Sequence, residues 1–153
     1  REQSRNHTEK MLSQNKDIIQ ISNYKKKIIL INGKKVLKPL NIHVPGDPSS
    51  AAFFCALTIL KKDSSIRIKN VGLNPTRTGF YSLLKKHGAK ILIKNKKKNN
   101  NELSGDIYAK HSLLKPIKAS KKYYVNSTDE YPILFIIAAL TKGISIFKSI
   151  KKS

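Results

Sequence analysis

An α/β fold assembled from repeated helix–strand modules is what this sequence predicts, on three observations. Two stretches share one order of elements: a β-prone run, an aspartate, an apolar helical run and a second β-prone run. The two aspartates, Asp47 and Asp129, stand 82 residues apart. Helical and β-prone patterns alternate along all 153 residues instead of segregating, as in chains built from copies of one αβ unit.

Each element has a local reason. Asn6-His7-Thr8-Glu9 opens a short helix, with Asn6 as N-cap and Glu9 three residues on. Asp17–Ser22 and Lys27–Ile31 are β-rich runs, and Asn32-Gly33 is a turn signal after the second. Asn41–Val44 predicts a short strand stopped by Pro45-Gly46-Asp47-Pro48. Asp47 then suits the cap of a helix over Ala51–Leu60, with Pro48 at its first position. Ser65–Val71 alternates as a strand does. Asn74-Pro75-Thr76-Arg77-Thr78-Gly79 opens a helix over Phe80–His87, which stops at Gly88. Strands are predicted at Lys90–Lys94 and Asp106–Ala109, with the polar insert 95–101 as a mobile hairpin tip. Tyr123–Val125 reads as a strand, Tyr131–Leu140 as a buried helix ended by Gly143, and Ile144–Phe147 as a strand. A second echo links Asn6-His7-Thr8 with Asn74-Pro75-Thr76. Both outer copies of the module read as cut short, at Arg1 and at Ser153.

The formal charge of +22 would draw the chain to polyanions, but its source argues for a solvated surface. Only Arg1, Arg5, Arg67 and Arg77 among 31 basic residues are arginine, the residue whose planar fork grips phosphate and guanine. The lysines are scattered among turns and polar faces, so no nucleic-acid partner is expected. The longest apolar run, Ile133–Leu140, is far short of a membrane span. Arg1–Arg5 lacks the pattern of a secretory signal, and the single cysteine, Cys55, forms no internal disulfide. A cytoplasmic location is expected, with Cys55 as a small buried hydrophobe.

Four motifs stand in a fixed order: Ser4-Arg5-Asn6-His7-Thr8-Glu9-Lys10-Met11-Leu12, Val44-Pro45-Gly46-Asp47-Pro48-Ser49-Ser50-Ala51-Ala52-Phe53, Asn74-Pro75-Thr76-Arg77-Thr78-Gly79 and Asp129-Glu130-Tyr131-Pro132. In that order they resemble the 5-enolpyruvylshikimate-3-phosphate synthases, and most closely the bacterial, glyphosate-insensitive type. The resemblance implies the enolpyruvyl transferase (inside-out prism) fold, two similar lobes each made of three αβ units. It places residues 1–44 in the N-terminal lobe and 45–153 in the C-terminal lobe, with an interlobe crossover near 44–47. A hinge there needs residues that absorb backbone rotation.

The activity implied is addition of the 5-hydroxyl of shikimate 3-phosphate to phosphoenolpyruvate, followed by loss of phosphate. Such chemistry needs a base, an acid and cationic clamps, and the resemblance implies no metal and no organic cofactor. Asp129 matches the family's catalytic aspartate, which also binds substrate hydroxyls; by position alone it reads as an N-cap. Arg5 matches a contact to the substrate phosphate, a task suited to a guanidinium. Asp47 is expected to cap its helix, and Arg77 either to help close the lobes or to form a surface salt bridge. His7, His43, His87 and His111 stand singly, and none reads as catalytic. The family's Gly-Ser-Lys-Ser, Ser-Ala-Gln or Ser-Ser-Gln and Lys-Glu-Ser-Asp-Arg segments do not occur in these 153 residues, and Lys151-Lys152-Ser153 is only superficially like the last. The chain alone is therefore expected to be inactive, and the family-length protein to be monomeric. Two alternatives remain at this level: a UDP-N-acetylglucosamine enolpyruvyl transferase relative, and a small basic RNA-binding module.

Overall fold

The computed structural model describes residues 5–22 and 27–148, so Ser4 of the first motif and Lys151–Ser153 lie outside the described residues. In chain order the elements are α1 (His7–Leu12), β1 (Ile19–Ser22), β2 (Ile28–Ile31), α2 (Pro48–Leu60), β3 (Ser65–Gly72), α3 (Gly79–Lys86), β4 (Lys90–Asn99), β5 (Glu102–Lys110), β6 (Lys118–Ala119), α4 (Lys121–Asn126), a 3₁₀ turn (Thr128–Glu130), α5 (Tyr131–Ala139) and β7 (Ile146–Phe147). The α/β class expected from the sequence is the one observed.

The module recurs as a crossover. Gly46 bridges Val71 in parallel, with α2 between them, and β6 pairs in parallel with β7, with α4 and α5 between them. Helix α2 starts as its sequence dictates: Ser50 N–H donates to Asp47 Oδ2 at 2.8 Å and Pro48 fills the first turn. Its inner side supplies Ala52, Cys55, Ala56 and Ile59 to the core. Phe80, Leu83 and Leu84 of α3, Ile107 of β5 and Leu134 and Ile137 of α5 complete that core. The outer sides of α2 and α5 are apolar too. Phe53, Phe54 and Leu57 of the one and Phe135 and Ile136 of the other are exposed. Helices apolar all round belong in interiors.

Three expectations are corrected. Residues 41–44 form no strand; Val44 is exposed, and only Gly46 enters a β-bridge. Tyr123–Val125 is helical, inside α4, and the strand that pairs in parallel with β7 is Lys118–Ala119. The insert 95–101 is a paired hairpin rather than a loose tip. Strand β4 runs to Asn99 opposite Glu102, and Asn100 and Asn101 make the two-residue turn with φ of 47° and 62°. Two successive left-handed residues are what the tightest hairpin turn requires, and asparagine tolerates them.

The three-stranded antiparallel sheet, in the order β3-β5-β4, is irregular on both sides of Asp106. Register slips between Ile68 and Val71 and between Lys94 and Lys97, and Asn70 and Asn95 take φ of 51° and 52°. Asp106 ties both bulges: Oδ1 accepts from Asn70 N–H at 2.9 Å, and Oδ2 accepts from Arg67 Nη2 and Asn95 Nδ2, each at 2.8 Å. Hydrogen bonds from Asn95, then Arg67, then the Asn70 N–H hold the Asp106 carboxyl well below the usual carboxylate range. A depressed carboxyl stabilises the fold above its unfolded value, about 3.9, and that stability is lost as pH falls through the folded value. Asp106→Asn should therefore lower the urea midpoint at pH 7, with the two proteins converging as pH drops below about 4.

Candidate functional site

The sequence places Asp129 at the mouth of an apolar helix, and the structure shows that its carboxylate does not cap that helix. Glu130 stands in the N-cap position of α5 with helical φ and ψ, and no side chain caps the helix. The chain instead enters through the 3₁₀ turn, where Glu130 N–H donates to Ser127 O at 3.0 Å and Thr128 Oγ1 to Tyr124 O at 2.6 Å. Asp129 rides on the outside of this turn, with 49 % of its side chain exposed. Its Oδ2 accepts a hydrogen bond from Arg5 Nη2 at 2.8 Å and lies 3.7 Å from Arg77 Nη2. Arg5 and Asp129, 124 positions apart in the sequence, are thus brought together.

Arg77 is the link that the sequence left undecided. Its Nη2 donates to Asp47 Oδ1 at 2.9 Å and to Ser49 Oγ at 2.8 Å, so one guanidinium joins the first turn of α2 to Asp129. Ser49 hydroxyl in turn donates to Glu130 Oε1. Asp47 both caps α2 and receives Arg77. Burial pushes its carboxyl up, but the hydrogen bonds from Ser50 and Ser49 and the Arg77 charge together leave it lowered. Neither Ser49 nor Glu130 was singled out in the sequence. The only local signal was their place inside the two motifs, since their contact spans 81 positions.

Glu130 is buried, at 2 % exposure, and burial pushes its carboxyl up, the nearby Asp129 charge adding to this and the Ser49 hydrogen bond opposing it. A raised carboxyl is a group whose ionised form costs stability. Its contribution is full below the unfolded value of about 4.3 and is lost as pH rises through the folded value. Glu130→Gln keeps an oxygen for Ser49 and removes the charge. It should leave stability within about 0.5 kcal/mol of the parent at pH 4 and improve it at pH 7, as read by urea unfolding at the two pH values.

A second polar cluster joins α1 to the β4–β5 hairpin. Asn74 Nδ2 donates to Asn6 Oδ1 at 2.7 Å, while Glu102 receives Lys10 Nζ at 3.1 Å and pairs with His7 Nδ1 at 2.7 Å. The two Asn-x-Thr openings seen in the sequence therefore touch. Asn6 spends its side chain on this contact and caps nothing, whereas Asn74 Oδ1 also accepts from Thr76 N–H at 3.1 Å. His87 and His111 hold backbone groups, and His43 meets Asn70. Burial pushes the Cys55 thiol up to about 12, the behaviour of an inert core residue. An open cavity of about 540 Å³ lies away from Asp129, lined by Arg67, Asn70, Asn95 and Asp106 among others. Among the described residues, no helix is long and apolar enough to cross a membrane.

Repeated αβ crossovers that set an uncapped carboxylate between two arginines define a modular α/β protein with a charged surface site. The family model for EPSP synthase (3-phosphoshikimate 1-carboxyvinyltransferase) matches residues 1–153. The chain belongs to the EPSP synthase family. The 3-phosphoshikimate 1-carboxyvinyltransferase of Petrotoga mobilis is 44 % identical over 151 residues, 97 % of this chain and 34 % of that protein. That of Aquifex aeolicus is 38 % identical over 97 % of this chain and 35 % of its own length. A solved EPSP synthase from Acinetobacter baumannii superposes with a TM-score of 0.83 at 36 % identity, over 95 % of this chain and 32 % of that one. The chain spans about a third of the length of the relatives it matches.

Proposed function

We propose that these residues form the middle part of a transferase that moves the enolpyruvyl group of phosphoenolpyruvate to the 5-hydroxyl of shikimate 3-phosphate, releasing phosphate. The observation that carries the reading is that Asp129 is not spent on capping its helix. A carboxylate fully engaged by backbone N–H groups would be a poor base. Asp129 makes no such bonds and faces outward between two guanidiniums. In this reading Asp129 binds the substrate hydroxyls and accepts the proton of the attacking one, and Arg5 contacts the phosphate of shikimate 3-phosphate. General base catalysis needs that carboxylate within hydrogen-bond reach of the hydroxyl, and Arg77 steadies it there.

Residues 1–44 belong to one lobe and 45–153 to the other, crossing near 44–47, and the substrates lie between the lobes. The contact of Asn6, His7 and Lys10 with Asn74 and Glu102 then joins the lobes beside that crossover. The whole protein acts in the cytoplasm on small molecules as a monomer. The lysine clamp and the remaining cationic groups come from parts of the relatives' length outside this chain. Because those clamps act together on the transition state, the 153 residues alone are inactive.

The test is phosphate release from phosphoenolpyruvate in the presence of shikimate 3-phosphate. None is expected from the isolated chain, and turnover is expected from a polypeptide of family length that carries these residues. Turnover by the isolated chain would overturn its predicted inactivity. Its absence from the longer protein would overturn the assignment.

A further inference from the structure

Strands β3 and β4 flank β5, and both break register beside Asp106. Ile107 and Ala109 of β5 belong to the core, so by the two-residue alternation of a strand Asp106 and Tyr108 stand on the opposite face. The open cavity of about 540 Å³ is lined by Arg67 from β3, Asn95, Lys96 and Lys97 from β4, Asp106 from β5 and His43 from the segment before α2, among others. Bulges re-aim the side chains of the strand that carries them and are over-represented beside functional sites. Here a bulge in each outer strand borders one hollow, and cations of both strands line it.

The hollow has a surplus of positive charge. Its one lining carboxylate, Asp106, already accepts from Asn70 N–H, Arg67 and Asn95. Arg67 turns Nε and Nη2 to that carboxylate, and its Nη1 has no partner among the described residues. Lys96 and Lys97 have no acidic partner among the described residues either. A lysine run on an exposed strand is ordinarily a solvated face. This one differs because it faces a concavity whose far side carries an arginine held in place by a buried aspartate. Neighbouring strands stand about 4.8 Å apart, so β3 and β4 are separated by about 10 Å across β5. That span exceeds a single phosphate group and suits two linked ones.

We propose that this hollow is a binding site for a small anion of the diphosphate class, one end on Arg67 and the other on Lys96 and Lys97. Arg67 Nη1 and the two ammonium groups supply charge-assisted donors to the ligand oxygens, and Asp106 keeps the guanidinium oriented. The site lies apart from Asp129 and is independent of the function proposed above.

Calorimetric titration of the family-length protein with inorganic pyrophosphate, at 0.15 M salt, tests it. The double variant Lys96→Gln/Lys97→Gln should bind about five- to twentyfold more weakly, the loss of two partly exposed charge contacts. Lys61→Gln/Lys62→Gln removes the same charge from an exposed turn outside the cavity and should change affinity by less than about twofold, since charges beyond about 8 Å are screened at this salt. Arg5→Gln should leave the same binding event in place, and orthophosphate should bind more weakly than pyrophosphate. Equal losses in the two lysine pairs would reveal diffuse attraction to net charge and overturn the proposal. Loss of binding in Arg5→Gln but not in Lys96→Gln/Lys97→Gln would assign the anion to the other cluster and overturn it too, as would no pyrophosphate binding by the parent. Circular dichroism of each variant separates loss of fold from loss of affinity.

Discussion

Asparagine at position 129 is expected to lower turnover of the family-length protein by about 10²–10⁴-fold, the usual contribution of a positioned general base. The substitution keeps the size of the side chain and an oxygen for Arg5, but it removes the group that accepts a proton. A purely structural role predicts the reverse pattern, with little change in kcat and a clear loss of stability. The structure speaks for a small stability change, because Asp129 caps no helix and its ion pair with Arg5 is half exposed. Such exposed pairs contribute about 1 kcal/mol or less. Steady-state kinetics together with thermal unfolding of the same variant separate the two roles. A kcat close to the parent's would remove Asp129 from the chemistry.

Gly79→Ala is the second large effect, and it acts on the site through packing. Gly79 is the first residue of α3 and closes the Asn74–Gly79 motif. A Cβ at this position would stand 2.3 Å from Ser127 Oγ, 2.8 Å from Asn126 O and 2.9 Å from Asn126 Cβ. Contacts that short do not occur in folded proteins, so α3 or the turn carrying Asp129 has to move. Ser127 is 1 % exposed and has little room to yield. Overpacking of this kind costs about 3 kcal/mol, at the upper end of the usual range. Urea unfolding should show that loss. In the family-length protein kcat should fall as well, because Asp129 lies two residues beyond Ser127. A stability equal to the parent's would mean that the turn relaxes freely and that the glycine serves another purpose.

The elements legible in the sequence were those fixed by local chemistry. The Asp47–Pro48 cap, the alternation of Ser65–Val71 and the stop at Gly88, which takes a φ of 101°, all depend on neighbours a few positions away. The misread elements depended on distant partners. Tyr123–Val125 has strand-forming side chains, yet its tertiary setting makes it a helix, with Val125 buried. The same division holds for the site. Resemblance singled out Arg5 and Asp129, but their meeting spans 124 positions and nothing local announces it. Arg77, Ser49 and Glu130 became a network only when α2, α3 and α5 brought three separate motifs to one place. Asp106 likewise was legible as a strand residue, while its grip on two bulges required both neighbouring strands.

The outward aromatic and aliphatic groups of α2 and α5 also decide how the isolated chain behaves in bulk. Phe53, Phe54, Leu57, Phe135, Ile136 and Leu140 offer adhesive surface, while a formal charge of +22 drives molecules apart. At low ionic strength mutual repulsion prevails and dispersed monomers result. Added electrolyte shortens the reach of that repulsion to about 10 Å at 0.1 M and leaves the greasy faces free to stick. Salting the solution should thus turn a clear sample turbid, the opposite of what salt does to proteins that cohere through opposite charges.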